Sequence, residues 1–131
     1  MALTNTGLVD DDFKVVKVIT GKKNEDELIL QVEKLSGSTK ESKISVANLY
    51  YELVNEKENN VEKTGNVTLQ FSDEDPFITL QGRENYGLKP TEVKFKSEVG
   101  KGDIKIKSDV NVKTFSLIME CHKESGFSAT T

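Results

Sequence analysis

Cys121-His122 is the one pair in this sequence that could supply a nucleophile and its base. A thiol activated this way needs the imidazole within hydrogen-bond reach. The surrounding pattern denies that reach. Phe115, Leu117, Met119 and Cys121 are apolar at every second position, the period of a β-strand, whose consecutive side chains point to opposite faces. Cys121 therefore reads as the end of an inward apolar row, with His122 on the other face. Each is also the only residue of its type, so no intrachain disulfide and no Cys/His metal cluster can form. A Ser-His-acid site would have to rest on His122, near the exposed end of a strand. No catalytic activity is expected.

Carboxylates are the next candidates. Asp10-Asp11-Asp12, Asn24-Glu25-Asp26-Glu27 and Asp73-Glu74-Asp75 each fall between expected strands. Calcium takes roughly six to eight oxygens, which loops at one end of a β-domain can supply. Asp10, Asp12, Asp73 and Asp75 are accordingly the candidate calcium ligands; otherwise no cofactor is expected. Ser72-Asp73-Glu74-Asp75-Pro76-Phe77 resembles the Asp-Pro-aromatic turn of C2 domains over those residues, while the spaced aspartates of that family are missing elsewhere. Asn66-Val67-Thr68 fits the glycosylation acceptor pattern, but with no signal peptide expected it reads as a chance match. Gly82 to Gly87 opens no expected helix, so it reads as a strand-to-strand loop rather than a phosphate cradle.

Lysines complete the set. Residues 1–82 carry 9 basic and 15 acidic side chains, a net −6, whereas residues 83–113 carry 8 and 5, a net +3. Lys94, Lys96, Lys105 and Lys107 alternate with apolar residues and should share the wet face of one hairpin over residues 91–113. Such a face either guards a sheet edge or meets an acidic surface, including one on a second copy of the chain.

The elements that position these groups are strands. Val93, Phe95, Ser97 and Val99 form one alternating row; Ile104, Ile106, Ser108, Val110 and Val112 form another. Gly100-Lys101-Gly102 between them suits a tight hairpin. Phe95, Ile106, Val110 and Leu117 are expected core residues. The apolar phase slips by one near Lys113-Thr114, and again at Ala47-Asn48, which marks bulges or sheet-crossing bends. Further strands are expected over Phe13–Thr20, Glu27–Leu35 (with Leu28, Leu30 and Val32 on one face), Ile44 onward, Asn66–Ser72 and Phe77–Gln81. Ala47–Lys57 also has helical spacing, but Tyr50-Tyr51 and the strand-like lead-in favour strand. Asn55–Asn60 and Gly82–Pro90 read as loops.

About eight strands in 131 residues describe an all-β chain: a single antiparallel β-sandwich, Ig-like or jelly-roll-like. The domain spans 1–131, with an N-terminal arm (1–12) and a C-terminal tail (124–131) that neighbouring chains would pin. Small lipid-binding barrels have a similar length, but residues 21–42 hold no helical lid and the inward rows carry no basic group. The net charge of −4 argues against nucleic acid as a partner. No apolar run is long enough for a membrane span, and no signal peptide is expected, so synthesis is cytoplasmic. The expected function is a non-catalytic structural or interaction module. Its partners would be other protein subunits or copies of itself in a larger assembly, such as a virion with this chain as capsid-decorating or tail protein. A calcium- or small-ligand-binding module is the alternative.

Overall fold

Short apolar alternations broken by turns give strands. The computed structural model describes residues 3–72, 74–98 and 100–128, and twelve strands occur among them. They are β1 (Thr4–Asp10), β2 (Lys14–Lys22), β3 (Asp26–Leu30), β4 (Lys43–Asn55), β5 (Lys57–Glu58) and β6 (Val61–Glu62). The second half adds β7 (Val67–Phe71), β8 (Pro76–Leu80), β9 (Arg83–Tyr86), β10 (Phe95–Lys96), β11 (Ile104–Ser108) and β12 (Val112–Ser125). One 3-10 turn, Val32–Lys34, follows β3. No helix among the described residues is long and apolar enough to cross a membrane.

The chain is all-β, with antiparallel sheets. The larger runs β1-β2-β12-β4, and β9 and β10 share the far edge of β4. The smaller runs β3-β11-β7-β8. A minor hairpin, β5–β6, turns through Asn59 and Asn60 at φ 53° and 65°, the positive-φ pair that a tight two-residue turn requires. Both larger sheets contribute to one buried cluster, with Ile19, Leu49, Leu117 and Met119 from the larger and Leu69, Leu80, Ile104 and Ile106 from the smaller. On one flank Phe71 and Phe77 meet Phe95 and Tyr86, with successive ring centroids 4.5, 4.8 and 4.8 Å apart. That spacing is favourable for aromatic pairs.

Both phase slips are bulges. Glu120 pairs with Asn48 and Cys121 with Val46, leaving Ala47 as the extra residue on β4. Val112 pairs with Asn55 and Thr114 with Val54, leaving Lys113 extra on β12. Residues 47–55 are strand, not helix.

The 91–113 hairpin does not form. β10 pairs with β4 in the larger sheet, whereas β11 lies between β3 and β7 in the smaller one. Gly102, at φ 117° and beside Ile44, lies on the crossing between sheets. Only glycine takes that backbone shape readily. The chain crosses back at the turn from Asp109 to Val112, so Val110 is 60% exposed rather than core. Val93 is exposed as well, Phe95 is partly buried, and Ile106 and Leu117 are buried as expected. Leu28 leaves the face of Leu30 and Val32 because the β3–β11 register shifts at Ile29.

Two further segments differ from the sequence reading. The arm contains β1, which pairs with β2, and the 82–90 loop contains β9. The described part of the tail, residues 124–128, is held by this chain itself, and residues 129–131 lie outside the described residues. Gly126 O accepts from Thr39 Oγ1 at 2.5 Å and Ser42 Oγ at 2.8 Å, and Phe127 packs on the core.

Candidate functional site

The side chains singled out by sequence scatter over the molecule. Lys94 and Lys96 both face Glu124, at 3.0 and 3.9 Å. Lys105 lies in the other sheet, 3.2 Å from Asp26, and Lys107 is exposed two residues on. The four ammonium groups therefore share no face. Asp10 is taken by Lys123 at 2.6 Å and by the Ser36 amide at 2.8 Å. Asp12 is half-buried between β1 and β2, Asp75 is exposed before β8, and Asp73 lies outside the described residues. No three acidic, histidine or cysteine side chains among the described residues group to hold a metal ion.

Cys121 and His122 part as strand geometry demands. His122 Nε2 meets Glu120 at 2.8 Å on the outer face, while Cys121 is fully buried. Burial pushes the thiol up to about 12, partly opposed by the charge of Lys17. At neutral pH it stays protonated and is a poor nucleophile.

Lys17 is the residue that the sequence reading missed. β2 sends Val15, Lys17, Ile19 and Gly21 inward, so a cation stands in phase with an apolar row. The signal was available: Val15-x-Lys17-x-Ile19 has the same spacing as its buried neighbours. Across the inner face its row runs Gly7, Lys17, Met119, Leu49. Lys17 Nζ donates to Ile29 O at 2.9 Å, and Asn5 Nδ2 donates to the same carbonyl at 2.9 Å. That carbonyl sits at the register shift on the edge strand β3, so the two donors close a gap in the ladder. Burial depresses the Lys17 pKa, partly offset by Cys121 and Asp10.

Around Lys17 opens a cleft of about 460 Å³, between β1, β2 and the β3 segment. Leu8, Val9, Val15, Leu28, Ile29 and Leu35 supply apolar wall, with Lys34 and Asp10 also lining it. The expectation of no inward basic group is therefore corrected.

A second feature is the outer face of the larger sheet. Val18, Ile118 and Tyr50 stand side by side across β2, β12 and β4. Ile118 is 47% and Tyr50 54% exposed. Ser116 and Glu52 form the next row on one side, and Glu120 and Asn48 the next on the other.

No family model, curated protein or solved structure matches this chain.

Proposed function

We propose that the chain is a two-sheet β-sandwich and a non-catalytic subunit of a larger protein assembly, in which copies stack head to tail. A virion, with this chain as capsid-decorating or tail protein, is the candidate assembly. The observation that carries this reading is the Val18-Ile118-Tyr50 row, an apolar strip in register across three strands, with Ile118 and Tyr50 exposed and Val18 half-buried. Contiguous exposed apolar surface with a polar rim is the usual mark of a protein contact.

Charge selects the occupant. Glu52 and Glu120 flank the strip. Lys105 and Lys107 alternate with the buried Ile104, Ile106 and Ser108 and so lie on the outer face of the smaller sheet. A copy that lays its Lys105 and Lys107 face on this strip matches cation to carboxylate. Such a contact uses two different patches and so propagates. The calcium alternative has no comparable support among the described residues.

Light scattering over rising protein concentration tests this at low and high salt. The apparent mass should climb at low salt and fall back at high salt, because rim charges are screened beyond about 10 Å at 0.1 M. Ile118→Glu, and separately Lys105→Glu with Lys107→Glu, should each give single-chain mass with unchanged far-UV circular dichroism. A native chain that stays single at low salt overturns the proposal, as does normal assembly of both variants.

A further inference from the structure

We propose that the Lys17 cleft binds a small amphipathic carboxylate, with its head on the Lys17 ammonium and its apolar tail against Leu8, Leu28 and Leu35.

Two lysines of this chain make the case by contrast. The side chain of Lys123 is also sequestered, but its three donors are all used: Asp10 Oδ1 and Asp11 O at 2.6 Å, and Ser36 O at 2.8 Å. Lys17 has the same three donors but, among the described residues, one hydrogen bond, to Ile29 O at 2.9 Å. It makes no ion pair with a described residue. Asp10 lines the cleft but is committed to Lys123 and the Ser36 amide. Lys34 adds a second positive charge to the lining. The cleft thus holds a partly desolvated cation with no dedicated counter-ion among the described residues, and such a group gains most from an anion brought to it.

The shape agrees with the charge. A volume of about 460 Å³ falls within the common range for small-molecule sites, which combine apolar walls with few polar groups. Gly7 lies opposite Lys17 on β1, and a Cβ added there would meet nothing within 4 Å. Gly7 lines the cleft, so the strand leaves room there that the side chain of any other residue would enter. Burial already costs Lys17 part of its proton affinity; a bound carboxylate would restore it, so binding and protonation are linked.

Isothermal titration calorimetry on the full chain, with hexanoate, octanoate and decanoate as probes, tests the proposal. Octanol and octylammonium serve as neutral and cationic controls. Octanoate should bind at least about tenfold more tightly than octanol, the scale of one charge-assisted hydrogen bond, and octylammonium should not bind. Lys17→Met should reduce octanoate to the level of octanol. Gly7→Leu should fill the space and weaken both ligands, and its φ is not in the glycine-only region. Far-UV circular dichroism checks both folds; should Gly7→Leu unfold, Lys17→Met decides alone. No carboxylate binding at millimolar concentration, or octanoate binding undiminished in Lys17→Met, overturns the proposal.

Discussion

Lys123 Nζ lies 2.6 Å from Asp10 Oδ1, with 2% of the lysine side chain exposed. The contact joins the end of β1 to the end of β12, and the Phe127 ring lies 5.0 Å from the same amine. Asp10 of the arm and Phe127 of the tail thereby meet on one lysine of the chain itself. Removing one partner of a sequestered pair strands the other. Asp10→Asn should cost about 3 kcal/mol in urea unfolding. Lys123→Met should cost less, about 1–2 kcal/mol, because it keeps the volume and leaves Asp10 partly in water. A cost below about 0.5 kcal/mol for Asp10→Asn would show that the lock carries little stability.

Ile106 and Val110 belong to one alternating sequence row but to different environments. Ile106 is fully buried, and Val110 is 60% exposed in the turn between sheets. Ile106→Ala should destabilise by about 2–5 kcal/mol, while Val110→Ala should stay within about 0.5 kcal/mol. Equal losses in chemical denaturation would place β11 in a longer strand that includes Val110.

Glu124 makes acid stability measurable at one site. Hydrogen bonding from Ser45 holds its carboxyl below the usual 4.5, burial opposes this, and Lys94 and Lys96 add to the lowering. Between the lowered folded pKa and 4.5 the unfolded chain binds the proton more readily. This contribution is therefore complete above 4.5 and is lost as pH falls through the folded pKa. The group is partly solvated, so the effect is small. Glu124→Gln should flatten the acid limb of the melting temperature while leaving its slope unchanged near neutrality. An identical acid limb in both proteins would exclude the Ser45–Glu124–Lys94 contact as its source.

Period-two alternation by itself determined that the chain is all-β, because a strand can bury one face only if every second side chain is apolar. It also located the bulges at Ala47 and Lys113, since an extra residue shifts the apolar phase wherever one face must stay buried. The separation of Cys121 from His122 was legible for the same reason. Partner choice was not. Two alternating segments joined by Gly100-Lys101-Gly102 look locally like a hairpin, yet β11 finds ladder partners on both edges between β3 and β7, and β10 joins β4. Alternation states which face a side chain takes and says nothing of which strand lies beside it. The Lys17 cleft has the same origin. The position of Lys17 in an inward row is written in residues 15–19, but the open space depends on Gly7, the shifted register at Ile29 and the capture of Asp10 by Lys123, which are distant in sequence. Only packing of the two sheets brings them to one place, because hydrogen-bond ladders and burial act between segments that local sequence does not pair.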